Sequence, residues 1–193
     1  MLHRGKINLF ITFSYLCVLG ELYGIRLNRL VNKLNRKNMY LDKDTFKTVI
    51  DSTPLISIDF LVKNSKGNYL LGYRNNRPAR GFWFVPGGRI LKNETLANAF
   101  KRLCKNELGI EAIIQQAKLI GPFDHFYDDY VFGEGVSTHY VALGFLIDID
   151  IDIDIDSLPN DQHNQYAWFS EEEVMVQEDV HKHSKWYLDS NAT

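Results

Sequence analysis

Disulfide chemistry is the first thing this chain lacks. Two cysteines in 193 residues, Cys17 and Cys104, form no disulfide framework, so a small stapled secreted domain is excluded and a reducing, cytoplasmic setting is expected. A confident membrane span is lacking too, because the apolar run from Ile7 to Leu19 is too short for one and has the length of a signal-peptide core. A strong excess of one charge is also absent: 22 Lys and Arg stand against 24 Asp and Glu, for a net charge of −2. That balance is unevenly spread. Residues 1–38 carry 7 basic and 1 acidic side chains (+6), and the remainder carries 15 and 23 (−8). An acidic main body argues against nucleic acid as a partner and suits metal-assisted binding of an anionic substrate.

What is present is an ordinary globular composition, 45% hydrophobic and 24% charged, enough for one domain with a sizeable core. Its most informative stretch is Gly87 to Ile110, a turn running into one amphipathic helix. At 100° per residue, Ala99, Phe100, Leu103 and Cys104 fall within about 80° of Leu96 and form an apolar stripe, with Asn98, Lys101 and Lys105 opposite. Asn93 or Thr95 can cap the start, and Gly109 supplies the left-handed residue that ends it. Glu107 breaks the pattern, falling about 20° from Leu96 in the last turn. There, burial and the negative end of the helix dipole both disfavour the anion, so a divalent cation or Arg102 is needed beside it. The bland alternative is a glutamate that snorkels out at the helix end.

Gly88, Glu94, Arg102, Glu107, Gly109 and Ile110 stand at the spacing of the box G-x5-E-x7-R-E-U-x-E-E-x-G-U, where U is aliphatic. In this the chain resembles the Nudix hydrolases, although Leu103 and Asn106 replace two glutamates that help ordinary members hold several metal ions. A box shortened in this way resembles that of the GDP-mannose mannosyl hydrolases. The similarity extends from about Met39 to about Trp186 through STPLISIDF, NRPARGFWFVPGGR, HFYDDY, THYVALGF and DQH.

The order of elements is expected to be α+β, with a mixed sheet between helices as the Nudix resemblance implies. A short helix through Phe46, Val49 and Ile50 is capped by Asp44 or Thr45 and stopped by Pro54. Strands are read at Leu55–Lys63, Tyr69–Tyr73 and Phe82–Val85, then at 112–121 and 123–130 on either side of Gly121-Pro122. Gly133-Glu134-Gly135 reads as a turn before a strand from His139 to Ile147, and Tyr166–Phe169 as the last strand. Ser170 opens a helix to Val176. The five Ile-Asp pairs at 147–156 read as a low-complexity extension of a hairpin without chemistry, because a two-residue slip leaves their register unchanged.

The chemistry follows from the resemblance. It implies metal ligands at the Gly87 carbonyl, Glu107 and Gln162, an oxygen set suited to Mg²⁺, with Mn²⁺ also possible. His163 is implied as the general base, although a histidine in a polar loop at Asp161-Gln162-His163 is as often merely solvated. If it takes a proton from water, activity should fall as pH drops through the ordinary histidine value near 6.5. Arg74 and Arg89 are implied at the leaving diphosphate, with Tyr140 donating a further hydrogen bond. Asp59 and His125 match site residues, and Tyr40, Leu41 and Phe46 match a nucleotide-binding segment near a homodimer interface. Arg102 is expected to pair with Glu107 or Glu94, while His181 and His183 receive no role. The implied reaction converts a GDP-hexose, GDP-mannose or GDP-glucose, to GDP and free sugar. A pyrophosphatase that breaks the diphosphate bridge is the alternative. A non-catalytic nucleotide-sugar-binding module is a third reading, but it would predict loss of Glu107, Gln162 or His163, and all three are present.

Residues 1–38 remain apart from this scheme. Residues 21–37 alternate Leu22, Ile25, Leu30 and Leu34 with Arg26, Arg29, Lys33, Arg36 and Lys37, a basic amphipathic pattern compatible with a membrane surface. A leader, an added helix and upstream sequence joined by a wrong start are all open. The third is favoured, because Met39 opens the resemblance and the Nudix domain is expected at residues 39–193.

Overall fold

The computed structural model describes residues 41–149, 153–159 and 162–189, so the expectations for residues 1–38, Tyr40 and Asp161 lie outside the described residues. The chain divides into two units at Asp42, and the architecture below is that of the second, Lys43–Thr193. Its helices are α1 (Lys43–Ser52), α2 (Leu96–Leu108), α3 (Glu171–Val176) and α4 (Lys182–Trp186). Its strands are β1 (Leu55–Asn64), β2 (Tyr69–Arg74), β3 (Trp83–Phe84), β4 (Gly87–Arg89), β5 (Lys118–Tyr130), β6 (Gly133–Ile149) and β7 (His163–Phe169).

The sheet is mixed. β1 runs parallel to β6 from Leu55↔Tyr140 to Asn64↔Ile149, and β6 is antiparallel to β5. The other edge of β1 is shared: Ser57–Asp59 pair with β4, and Lys63 pairs with β2. β2 in turn lies between β3 and β7. The period of two along β1 sorts its side chains onto the two faces. Ile58, Phe60 and Val62 join Phe100, Leu103, Cys104 and Leu108 of α2 on one face. Leu61 packs on the other with Phe123, Phe169, Val174, Val180 and Tyr187. By the same alternation Asp59 lies on that second face, beneath the C-terminal segment. The architecture is α+β, a mixed sheet between helices, as expected.

Helix α2 matches its reading closely. Thr95 caps it by accepting from the Asn98 amide, Gly109 ends it at φ 67°, and Ala99, Phe100, Leu103, Cys104 and Glu107 are all buried. Such a cap is worth about 1 kcal/mol. The burial of Cys104 raises its thiol to about 12, so it serves as a small core hydrophobe.

Four readings are corrected. Residues 112–117 are not strand, because Ile114–Gln116 form a 3₁₀ turn and β5 begins at Lys118. Gly121-Pro122 does not divide two strands: β5 continues through it, with the register shift between Leu119 and Gly121. As β5 is an edge strand, the missing proline N–H is tolerated there. Gly133–Gly135 open β6 rather than forming the turn, which lies at Val131 and Phe132. β7 starts at His163, three residues earlier than read, because Arg74 pairs with His163 and extends the β2 ladder. The start of the Ile-Asp run is held by β1 through Val62↔Ile147, Lys63↔Asp148 and Asn64↔Ile149, so its register is set by a neighbour the repeat itself cannot reveal.

Candidate active site

A cleft of about 290 Å³ opens where β1, β4, the Arg74–Pro78 loop and the β5–β6 hairpin meet. Of the expected site residues, Phe46, Asp59, Arg74, Gly87, Arg89, His125, Tyr140 and Gln162 line it. Leu41, which belongs to the other unit, is half exposed. Gly87 sits opposite Asp59 in the β1–β4 ladder, between Pro86, whose carbonyl accepts from Phe60, and Ile90, whose amide donates to Ile56. Hydrogen-bonded and non-bonded pairs alternate in such a ladder, so the Gly87 carbonyl points away from β1. A Cβ at Gly87 would strike the Ile58 carbonyl and come within 2.8 Å of the Asp59 carboxylate. Only glycine allows this approach.

Glu107, in the last turn of α2, does not itself line the cleft. Its Oε1 accepts from Gln162 Nε2 at 2.8 Å, joining residues 55 positions apart. Gly87 and Gln162 line the cleft, and Glu107, 9% exposed, is linked to it through that amide. The set fits a hard cation bound by one carboxylate, a peptide carbonyl and a side-chain amide. Among the described residues, no cluster of three His, Cys, Asp or Glu side chains offers a richer site.

The rest of the box is structural. Arg102 pairs with Glu94 (2.6 and 2.8 Å) and donates to the Arg89 carbonyl at 2.9 Å. Glu94 also accepts from the Leu91 amide, which fixes the loop after β4, and Arg102 holds its carboxyl below the usual range. Leu103 is 2% exposed, and its Cδ2 lies 2.7 Å from where a Gly88 Cβ would sit, while Asn106 faces solvent.

Asp59 is buried, and burial pushes it up to about 6 against the opposing pull of Tyr187 and Arg74. His125, from the inward row of β5, is 2% exposed; its Nδ1 lies 3.8 Å from Asp59 Oδ2, and burial lowers it to about 3. Arg74 is held by its Nε donating to the Pro78 carbonyl at 2.9 Å. The Arg89 guanidinium stacks 4.1 Å from the centre of the Phe46 ring. At the rim Arg77 bridges Asp129 (2.7 Å) and Glu134 (3.1 Å). Burial raises the Tyr140 hydroxyl, which keeps it a donor at neutral pH.

His163 is the expected site residue whose setting differs most. It is not in a solvated loop but fully buried as the first residue of β7, its ring against Gly72 and its Nδ1 3.3 Å from the Tyr166 hydroxyl. It does not line the cleft, although Gln162 beside it does. Nε2 has no hydrogen-bond partner, and burial lowers the group to about 3.

Sequence reasoning missed the support under Asp59 and His125. The Tyr187 hydroxyl donates to Asp59 Oδ2 at 2.7 Å and lies 3.3 Å from His125 Nε2. His183 stacks on His125 with centroids 4.1 Å apart and planes 6° from parallel. His181 caps α4, and burial lowers it to about 4. His181 and His183 receive no role from the sequence, because a spacing of two opposes them on a helix. The actual signal was the aromatic content of residues 181–187, which marks a segment packed onto the sheet.

Residues 53–189 match the family model described as the NUDIX domain. The chain is 37% identical over 161 residues to the low-salt glycan biosynthesis protein Agl8 of Haloferax volcanii, covering 82% of this chain and 96% of that protein. Its fold is similar to that of the MutT protein from Methanosarcina mazei, with TM-score 0.56 and 24% identity over 70% of this chain and 91% of the other. A MutT NUDIX hydrolase from Burkholderia pseudomallei gives TM-score 0.55 and 24% identity, covering 71% and 97%. With the family model spanning residues 53–189 and the mixed sheet in place, the chain belongs to the Nudix hydrolase family.

Proposed function

We propose that this Nudix hydrolase cleaves a GDP-hexose, GDP-mannose or GDP-glucose, into GDP and free sugar by attack of water at the anomeric carbon. The observation that carries this reading is the fate of the two replaced box positions. Leu103 is packed beneath Gly88 and Asn106 faces solvent, so of the three box positions 103, 106 and 107 only Glu107 keeps a carboxylate. Attack at phosphorus that depends on several metal ions loses its support, and one cation at the leaving diphosphate remains. Agl8, named for glycan biosynthesis, adds support for a sugar-linked substrate.

Gly87, Glu107 and Gln162 would hold Mg²⁺ or Mn²⁺. When bound, the ion neutralises charge on the departing diphosphate. Arg74 and Arg89 line the same cleft and meet the charge that grows as the bond to the β-phosphate breaks. Tyr140 donates a further hydrogen bond, Asp59 orients a sugar hydroxyl or an arginine, and the Phe46 ring with Arg89 offers a platform for the base. The water loses its proton to a neutral imidazole as its oxygen bonds to carbon. His163 takes this role if its ring turns from Gly72 toward the cleft. A second reading gives it to His125, favoured by one observation: His125 lines the cleft as it stands. A homodimer and a cytoplasmic setting belong to the same proposal.

Product analysis by ³¹P NMR with GDP-mannose and Mg²⁺ tests the reaction. GDP and free mannose are expected. GMP with mannose 1-phosphate would assign a pyrophosphatase, and tight binding without turnover a non-catalytic module.

A further inference from the structure

Tyr187 lies in the C-terminal segment, far in sequence from the box, and is 6% exposed. Its ring stands edge-on to Phe123, with centroids 4.7 Å apart, and occupies the space left by Gly144, where a Cβ would fall 2.8 Å from its Cε1. That packing delivers the hydroxyl to two residues of the cleft. The contact with Asp59 Oδ2, at 2.7 Å, is the shorter, so the single hydroxyl proton belongs there. The contact with His125 Nε2, at 3.3 Å, then requires the nitrogen to donate and the tyrosine oxygen to accept. His183 stacks on one face of the His125 ring, and Phe84 and Tyr127 approach it edge-on at 6.2 and 6.4 Å. The stack fixes the plane of His125 but is equally compatible with a half-turn of the ring about Cβ–Cγ, which would carry Nε2 away from the hydroxyl. The hydroxyl selects one of the two orientations.

We propose that Tyr187 is a positioning residue, which holds His125 in the Nε2–H tautomer and locks Asp59 beside it in one geometry. Nδ1 of His125 is thereby the lone-pair nitrogen, directed to the Asp59 side of the cleft. This inference rests on the reading of the cleft as the reacting site, though not on which bond is broken.

Tyr187→Phe keeps the ring against Gly144 and removes only the hydroxyl. Two measurements are made on it: long-range ¹H–¹⁵N NMR of histidine-labelled protein without substrate at pH 7, with His125 assigned from a His125→Gln spectrum, and steady-state kinetics with GDP-mannose. In the wild type, Nε2 of His125 should be the protonated, pyrrole-type nitrogen, and in Tyr187→Phe that preference should be lost. Turnover should fall about 10²-fold, as expected for misplaced reacting groups, while KM stays within about twofold. A pyridine-type Nε2 in the wild type overturns the proposal. So does a variant with wild-type turnover and only a lower melting temperature. If the wild type does not turn over GDP-mannose, the functional reading fails and the NMR result decides the role of Tyr187 alone.

Discussion

Glu107 is an acidic residue on the buried, apolar face of α2, and Gln162 donates to one of its oxygens. In the proposed site it would share a cation with Gln162 and the Gly87 carbonyl. Glu107→Gln keeps the shape and the burial but removes the only carboxylate of that set. Metal-dependent turnover should fall roughly 10²–10³-fold, a few kcal/mol, with the circular dichroism spectrum unchanged. Near-native activity with the same Mg²⁺ dependence would make Glu107 a structural acid. The misplaced glutamate was legible because helical periodicity exposes a charge on the wrong face. The burial of His163 was not, because nothing in Gln162-His163-Asn164 announces that Arg74 will draw the histidine into a ladder. The consequence is chemical. Burial takes both His125 and His163 to about 3, so neither loses its basic form near pH 6.5 as an exposed histidine would. Lowering the pH protonates a base and abolishes it, so a histidine limb belongs near pH 3, while a limb near 6 reports Asp59. His163→Gln and His125→Gln, compared at pH 7, separate the two readings. The true base costs about 10²–10⁴-fold in turnover when removed, and the other histidine much less.

At the scale of elements, the site depends on how closely β7 approaches β2. Gly72 pairs with Tyr166 across that ladder, and a Cβ there would fall 2.5 Å from the His163 ring. The ring is fully buried, so it makes room only by leaving its packed position. Gly72→Ala should therefore destabilise the domain by about 1–3 kcal/mol, the usual cost of overpacking, read as a lower urea midpoint. An unchanged midpoint would show that the imidazole moves freely. Strands and helices with strong periodicity were legible: α2 with its Thr95 cap and Gly109 stop, the β1–β2 hairpin around Lys66-Gly67, and the Ser170 capping box. What was hidden depended on partners. Pairing with β6 carries β5 across Gly121-Pro122, and β1 fixes the start of a repeat with no preferred register of its own.

At the scale of the whole fold, four histidines among the described residues are held neutral by burial: His125, His163, His181 and His183, lowered to about 3, 3, 4 and 2. Each regains an ordinary value near 6.5 on unfolding, so the unfolded chain binds more protons as pH falls below that value. Their stabilising contribution is complete above pH 6.5 and is lost progressively as pH falls toward the folded values. Asp59 works the other way, since it is protonated at pH 5 in the fold and ionised in the unfolded chain. The net uptake on unfolding at pH 5 should approach three protons, a slope of at most about 4 kcal/mol per pH unit. Urea unfolding at pH 7.5, 6 and 5 checks this, and a midpoint flat across the range would contradict it. Among the described residues no helix is long and apolar enough to cross a membrane.

Attack of water at carbon rather than at phosphorus is read from where its oxygen ends up. The enzyme is incubated with GDP-mannose and Mg²⁺ in ¹⁸O-water, and the label is located by mass spectrometry. ¹⁸O is expected in the released mannose and none in GDP. Label in a phosphate, whether of GMP or of mannose 1-phosphate, would contradict attack at carbon.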